Sequence, residues 1–552
     1  MKMGQLFSHV RVHLSKGWMV GVAFFLYSLL NALAFQQWVV PRWMSHIDLG
    51  YGLIVQDSVE FHRIAVRKAT EIRSYGWLTW ELLPQGQFPA GVASFFYALV
   101  TPDPWVMLPF NALVHAFGGF LIFWILRYVF PVLPSLVGSL LFLVNPAALE
   151  WTANIHRDGV FILGNLLVLA GFVVWSAASP TKKALALSLP MGMTGTLLVW
   201  CSRPYWMSVL WLCSCLLLGL VALQLLRLPW QKLGATKLAG KGIALAAAVL
   251  LLVFQHWMMV YHGRRLINRV LPTPSERLSA PVAGQVSPVA GQNVADLDWK
   301  KIIEKCDFNQ NLLEKYQVSL EIKGAGNNGF SKRAGEEKEK VFLAWERWEK
   351  SKSNERAAVL EASFVLWWTV LKEWDSYLSK VEADFNRSWI RSDWLPEGVE
   401  KKIFGIAGER RGVSRSGGKT VIDAHIRLNS AEAFLAYLPR ALQVGLLSPF
   451  PDLWCGEGST EGSTMARRVL GLVTPIFWLC LLGVPIGLAR HRNKTVAWVS
   501  CGYCMLGLLL FTYAYSNVGT MMRFRYGFYM FLVAFGFATW MELWLRTKRL
   551  KN

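Results

Sequence analysis

The composition of the chain is that of a membrane protein. It has 552 residues, of which 54% are hydrophobic, and a mean hydropathy of +0.33. These values exclude an ordinary soluble domain, because a run of about 20 mostly apolar residues is enough to cross a bilayer core.

The formal net charge of +21 comes mainly from segments that flank or connect the apolar runs. Seventeen of the 57 basic residues stand in six segments that contain no Asp or Glu, and the remaining 40 (57 minus 17) nearly balance the 36 acidic residues. This distribution argues against nucleic acid as a partner. It indicates a positive-inside topology with attraction to anionic membrane lipids.

Ten apolar stretches have the length of a membrane span, which predicts an all-α polytopic fold. They cover roughly 18–40, 105–126, 132–149, 159–178, 184–201, 205–226, 242–261, 467–489, 495–514 and 526–546. The stretch 88–100 is apolar but short. Counting it as a span would move the basic loops that follow it to the outer side of the membrane. We therefore expect a surface helix there, ten spans, and both termini in the cytosol.

The chain is expected to divide into three parts. The first is a transmembrane module of seven spans at 1–261, with a large outer loop at 41–104. A mostly helical periplasmic domain at 262–432 follows, and 433–552 holds a surface helix and the last three spans. Such a layout suits a bacterial inner membrane.

Two segments of the outer region have distinct patterns. An apolar stripe between 341 and 385 has helical spacing and predicts a helical hairpin. The composition of 405–419, rich in Gly, Arg and Ser, favours a mobile basic loop. The chain has no Walker motif, dinucleotide fingerprint or H-E-x-x-H, so no nucleotide or zinc chemistry is indicated.

An acidic motif, D-S-V-E-F-H-R-I-A, stands in the first outer loop. If it is helical, Asp57 and Phe61 share one face, and Ser58 and His62 share another. A carboxylate close to the outer membrane surface can act as a general base or hold a divalent cation. The alternative is an ordinary solvated acid beside Arg63.

A second polar group precedes the predicted span at 159–178. His156, Arg157 and Asp158 follow one another there, and charged groups at that depth usually have a partner or a function. Asp158 also fits the first turn of a helix, where the dipole favours a carboxylate. This role of Asp158 at the helix start does not explain why the charged Arg157 stands beside it.

Three further arginines lie on the outer side against the positive-inside trend, which suggests a local anionic partner. Arg203 stands between two spans, and Arg523 and Arg525 lie at the mouth of the last one. Guanidinium groups pair well with phosphate oxygens. The sequence therefore predicts that these three and Arg157 converge on one phosphate.

Taken together, these motifs resemble the GT-C superfamily, polytopic glycosyltransferases that use polyprenyl-phosphate sugars at the extracytosolic face. The resemblance rests on Asp57 after the first span, on the segment from Pro146 to Asp158, and on the large outer loop before the late spans. The ending N-x-G-T-x-x-R-x-R at 517–525 is similar to endings in uncharacterised bacterial members. Ser58 and Phe61 differ from the residues that many relatives carry there.

The resemblance implies a GT-C-like fold and a role for each motif residue. Asp57 would be the general base or the ligand of a divalent cation such as Mg or Mn, and Asp158 would be a second acid that orients His62 or the acceptor. His62 and His156 would face or orient the acceptor, which would be a glycan, a lipid or a protein. The phosphate of the polyprenyl-linked donor would be held by Arg157, Arg203, Arg523 and Arg525.

Two other functions remain open. An O-antigen ligase or polymerase would also act at the outer face, on a lipid diphosphate oligosaccharide. A secondary transporter or flippase usually shows repeated halves and charged groups near the midplane. The sequence has neither a repeat nor an acid in the middle of a span, which favours the transferase.

Overall fold

The computed structural model describes residues 17–177, 182–226, 235–259, 389–415, 420–458 and 461–551. The regular structure of these residues is helical, and their only β-type pairing is two isolated bridges. In chain order the main helices are α1 Gly17–Ala34, α2 Gln56–Tyr75, α3 Phe88–Leu99, α4 Leu108–Leu126, α5 Val132–Val144, α6 Asp158–Ser176, α7 Lys182–Ser202, α8 Met207–Leu226, α9 Ala235–Trp257, α10 Glu397–Arg415, α11 Ala431–Ala436, α12 Leu438–Leu447, α13 Glu461–Arg490, α14 Thr495–Ala514 and α15 Val518–Lys551.

In the part of the chain just described, nine helical segments are long and apolar enough to cross a membrane. Each overlaps one of the predicted spans. The one remaining predicted span, 132–149, is bent instead: α5 and the following segment Pro146–Thr152 meet at 53°. Pro146 is the physical reason, since proline lacks the N–H that would continue the helical hydrogen bonds. The protein is therefore an integral multi-pass membrane protein.

The short apolar stretch within the first outer loop forms α3, a helix of 12 residues. Twelve residues rise only about 18 Å along a helix, which is less than the thickness of a bilayer core. Its length therefore matches the expectation that this stretch does not span.

Helix α6 lies at the centre of the first compact unit, which comprises residues 1–263, 442–512 and 519–552. Every residue of α6 from Val160 to Ser176 is buried, as expected for a helix that is apolar on all sides. It packs closely on α7 through two glycines. A Cβ atom added to Gly195 would stand 2.5 Å from the carbonyl oxygen of Gly164, so both positions require glycine.

Polar contacts join the basic segments at one end of these helices, here named the basic end. Lys241 Nζ donates to the carbonyl of Ala177, just past α6, at 2.7 Å, and Lys494 Nζ donates to that of Val129 at 2.6 Å. Asp158 begins α6 and thus lies at its other end. The bundle therefore has a basic end and an opposite end, as the charge pattern predicts.

The second compact unit comprises residues 264–441 and 513–518. The predicted hairpin between 341 and 385 lies outside the described residues, as does most of the predicted domain at 262–432. Within the described part, the loop prediction for 405–419 is wrong up to Arg415, because α10 is continuous to that residue. Ala407 and Arg410, one turn apart, are buried on one face of α10, and this packing outweighs the weak helix propensity of its glycines.

The helix expected before the last three spans is present but divided into α11 and α12. Ser430 caps α11 by accepting a hydrogen bond from the Ala433 N–H at 3.1 Å, and α12 follows after Tyr437. Helix α12 ends at Leu447, two residues before Pro449, which has no N–H to continue the helical hydrogen bonds.

Candidate active site

The opposite end of the bundle collects ionisable side chains from four places in the first unit. Asp57 lies in the first turn of α2, His156 to Asp158 lead into α6, Arg203 joins α7 to α8, and Arg523 lies in the second turn of α15. The chain thus brings residues from four separate segments to one charged cluster.

Asp158 is the centre of the cluster and is fully buried. The Arg203 guanidinium donates to its Oδ1, and Arg523 Nε donates to its Oδ2 at 2.9 Å. Arg203 is itself buried and lies on the ring of Phe524. A buried charge is tolerated when it is paired in this way, so the three groups form one structural unit.

His156 is held in the neutral form between two of these groups. Its Nε2 lies 2.5 Å from Arg523 Nη2, which can only donate, so Nε2 is the acceptor. Nδ1 lies 3.2 Å from the backbone nitrogen of Asp158 and 3.2 Å from its Oδ2. In a neutral ring whose Nε2 accepts, Nδ1 carries the proton, and of these two atoms only Oδ2 can accept a hydrogen bond from it. Burial lowers the pKa of His156, against the attraction of Asp158. The ring therefore orients its neighbours and is a poor proton acceptor.

Asp57 is the most accessible carboxylate of the cluster. Its side chain is 47% exposed, and its Oδ2 lies 3.6 Å from Arg523 Nη2 and 3.9 Å from His156 Nε2. One side of the carboxylate therefore faces solvent while the other faces the buried ion pairs.

The Nε of Arg157 is buried and has no hydrogen-bond partner among the described residues. Burial lowers its pKa and the nearby Arg203 lowers it further, whereas Tyr205, Asp158 and Asp57 raise it. An arginine remains charged at neutral pH, so this group is a cation with one unused buried donor, and Asp57 is among the charges that act on it.

His62 lies on a different face of α2 from Asp57. Its Nδ1 is 2.9 Å from the hydroxyl of Tyr97, and its ring lies against that of Tyr51. Burial lowers the pKa of His62, and Asp103 partly opposes this. The expectation that Asp158 orients His62 is not met: the histidine that Asp158 contacts is His156, two residues before it.

Arg525 does not join the cluster, although the sequence grouped it with Arg523. It is fully buried, and its Nη1 donates to the carbonyl of Gly445 at 2.5 Å and to Ser448 Oγ at 3.0 Å. Two residues along an α-helix are rotated by about 200°, so Arg523 and Arg525 face opposite ways. Arg525 therefore holds the 444–448 turn, and its donors are not available to a phosphate.

The residues present do not fit a resident metal ion. Over the described ranges, no group of three or more His, Cys, Asp and Glu side chains could hold one. The carboxylates of the cluster face Arg523 and Arg203, whose positive charges would repel a cation. We therefore derive no step through Mg or Mn.

Two residues of the site were not predicted from the sequence. Glu150 Oε1 lies 3.3 Å from Arg523 Nε, and the Tyr205 hydroxyl accepts a hydrogen bond from Arg203. Each follows a proline at the end of a span, Glu150 after Pro146 and Tyr205 after Pro204. Their position beside a proline turn at a span end was the available signal.

Comparisons with known proteins do not assign this site. No protein-family model, curated protein or solved structure matches the chain at the significance required. The function must therefore be argued from the side chains themselves.

Proposed function

We propose that the protein is a glycosyltransferase that moves a sugar from a polyprenyl-phosphate donor to an envelope acceptor, and that Asp57 is its general base. The observation that carries the proposal is an accessible carboxylate, Asp57, together with guanidinium cations that act on it: Arg523 lies 3.6 Å from it, and Asp57 is also among the charges that act on Arg157. Glycosyl transfer to a hydroxyl needs these two functions side by side. The proposal agrees with the resemblance to the GT-C superfamily.

The chemistry follows from the positions of the groups. Asp57 accepts the proton of the acceptor hydroxyl as its oxygen attacks the anomeric carbon of the donor. The bond between that carbon and the phosphate oxygen breaks, and the electron pair leaves with the polyprenyl phosphate. Arg157, together with the partly exposed edge of Arg523, stabilises the charge that develops on the phosphate. Inversion at the anomeric carbon is the expected outcome.

The buried part of the cluster serves to hold this arrangement. Asp158 fixes Arg203 and Arg523, and the neutral His156 supports Arg523 from the other side. The geometry thus keeps Arg523 in place beside Asp57 before any substrate arrives, which is what electrostatic catalysis requires. Asp158 acts through Arg523 and is a positioning residue.

A transporter is less well supported, because the charged cluster lies at helix ends. Carrier proteins place their coupling residues near the bilayer midplane, often at breaks in the spans. Asp158 is the first residue of α6, and Arg203 lies between two spans.

The test is release of labelled hexose from a polyprenyl-phosphate donor by purified protein in bilayers. Asp57→Asn should lower the transfer rate by a factor of roughly 10²–10⁴ while the protein still folds, because a general base contributes about that much. Glu60→Gln is the matched control: it neutralises an exposed acid on the same helix and should keep normal turnover.

Other outcomes have separate meanings. Wild-type turnover in the Asp57→Asn variant would remove Asp57 from the mechanism. Activity only with a lipid diphosphate oligosaccharide would replace the monosaccharide transferase by a ligase or polymerase. Movement of sugar across the bilayer without transfer would replace it by a carrier.

A further inference from the structure

The turn that precedes α2 has an unusual backbone. Gly50, Tyr51 and Gly52 all have positive φ angles, of 112°, 57° and 72°. Asp48 Oδ1 accepts hydrogen bonds from the N–H groups of Gly50 at 2.8 Å and Gly52 at 3.1 Å, and these fix the turn.

The middle position of this turn is occupied by a residue that disfavours it. Positive φ is common for glycine and tolerated by Asn and Asp, but it is an outlier for a bulky aromatic residue. Asp423, another described residue with positive φ, is of a tolerated type and pairs with Arg440. Tyr51 is instead 67% exposed, and its hydroxyl forms no hydrogen bond within the described residues. Burial in the protein therefore does not offset the strain at Tyr51.

The ring of Tyr51 nevertheless has a fixed position. It lies against the buried His62, with ring centroids 5.0 Å apart and planes at 48°. His62 is supported from behind by Tyr97, whose ring is 5.5 Å away. One face of the tyrosine ring is thus held by the protein, and the rest of the ring is presented to solvent.

The turn is attached to the segment that forms the charged cluster. Asn154 Oδ1 accepts from the N–H of Ile54 at 3.0 Å, two residues before α2 begins. Gly52 packs so tightly on the first helical segment that a Cβ there would stand 2.3 Å from the Gln36 carbonyl oxygen. His156, two residues after Asn154, contacts Asp57. Tyr51 and Asp57 are therefore held by one framework on both sides of the α2 start.

From these observations we propose that Tyr51 is a stacking platform for a hexopyranose at the candidate active site. A pyranose ring presents C–H groups on one face, and these pack well on the face of an aromatic ring, whose electrons carry partial negative charge. A rigid, exposed tyrosine six residues before the proposed general base is suited to this contact. The proposal rests on the proposed function for its place in the reaction, but the binding itself can be measured without transfer.

The experiment is saturation-transfer NMR with methyl hexopyranosides on the full-length protein in lipid nanodiscs. Wild type and Tyr51→Phe should bind at least one pyranoside, because stacking does not need the hydroxyl. Tyr51→Ala should weaken that binding about tenfold, the scale of one aromatic contact. Tyr51→Gly should weaken it equally while keeping the fold, since glycine adopts the positive φ without strain. Tyr75→Ala, which removes a tyrosine that is 79% exposed at the far end of α2, should bind as wild type does.

The kinetics of sugar transfer by the Tyr51 variants then show whether the sugar that contacts Tyr51 belongs to the donor or to the acceptor. A raised KM for the polyprenyl-phosphate sugar alone would place the donor sugar on Tyr51, and a raised KM for the acceptor alone would place the acceptor there.

The outcomes separate this inference from the proposed function. Pyranoside binding that is lost in Tyr51→Gly, without transfer from any lipid donor, would support the platform and contradict the transferase. Transfer with unchanged binding and KM in both Tyr51→Ala and Tyr51→Gly would contradict the platform and support the transferase. Failure of wild type to bind any pyranoside would contradict the platform.

Discussion

At the scale of single residues, the site depends on a carboxylate that never reaches solvent. Asp158 is fully buried and pairs with Arg203, which is buried as well. Removing one partner of such a pair leaves an uncompensated charge in a low-dielectric environment, and this costs more than the pair contributes. The exposed Asp57 has no such constraint, so the two acids should respond differently to substitution.

We expect Asp158→Asn to lower the free energy of unfolding by about 3–5 kcal/mol, because it leaves Arg203 unpaired. Combining it with Arg203→Met should cost less than the sum of the single changes, with a coupling of roughly 0.5–3 kcal/mol. Denaturant unfolding of the four proteins in detergent measures this. The exposed Glu60–Arg63 pair, at 42% and 51% exposure, is the control and should couple by less than about 1 kcal/mol. Additive effects of the buried pair would mean that Asp158 and Arg203 are not energetically linked.

The second prediction at this scale concerns pH. Burial holds the pKa of His62 below its ordinary value. The unfolded chain therefore binds a proton at a higher pH than the folded chain does, and between the two pKa values it carries more protons. The free energy of unfolding should then fall as the pH drops through about 6.5, the pKa of an unperturbed histidine. Thermal unfolding at pH 7.5 and 5.5 measures the loss.

Part of this pH dependence should disappear in His62→Gln, which removes the titrating group. His46→Gln, a change at an exposed position, should leave the dependence as it is in wild type. An identical loss of stability in His62→Gln and wild type would assign the effect to other groups.

At the scale of secondary-structure elements, two of the late helices are in backbone contact. A Cβ added to Gly536 on α15 would stand 1.9 Å from the Cys480 carbonyl oxygen on α13, and one added to Gly483 would stand 2.3 Å from the carbonyl oxygen of Gly536. Small residues allow this approach, and dispersion between the backbones stabilises it. Because α15 also carries Arg523, its packing on α13 contributes to the position of the site.

Gly536→Ala should therefore destabilise the protein by about 1–3 kcal/mol or more, since the methyl group forces α13 and α15 apart. Gly502→Ala on α14 is the matched control, because a Cβ there meets nothing within 4 Å. That change should be neutral or stabilise by up to about 1 kcal/mol through helix propensity. The measurement is the apparent Tm in detergent. Equal shifts for the two variants would show that the close contact has no energetic role.

At the scale of the whole molecule, the basic end and the site end should lie on opposite sides of a membrane. The charge pattern predicts that the basic end faces the cytosol. The hydrogen bonds of Lys241 and Lys494 to the carbonyls of Ala177 and Val129 hold that end together.

Reporter fusions in a bacterial host test this orientation. Green fluorescent protein inserted after Lys494 should fluoresce, whereas alkaline phosphatase inserted after Tyr75 should be active, because it folds only outside the cytosol. The exchanged reporters are the controls and should both be silent. Active phosphatase after Lys494 would reverse the topology and place the candidate site in the cytosol.

The sequence by itself determined the positions of the helices that could cross a membrane. It also determined which ends of these helices are basic, because both properties depend on local composition. The sequence also placed Asp158 in the first turn of a helix, because that turn favours a carboxylate. Composition misled at 405–415, where the packing of Ala407 and Arg410 stabilises a helix that three glycines argue against.

Only the tertiary structure decided how the charged residues are paired. Asp158 lies 45 residues from Arg203 and 365 from Arg523, and no local pattern relates such distant positions. Arg525 looked equivalent to Arg523, yet helix geometry turns it toward the 444–448 turn. The role of a charged group is set by what its side chain meets in three dimensions, and that depends on how the helices pack against one another.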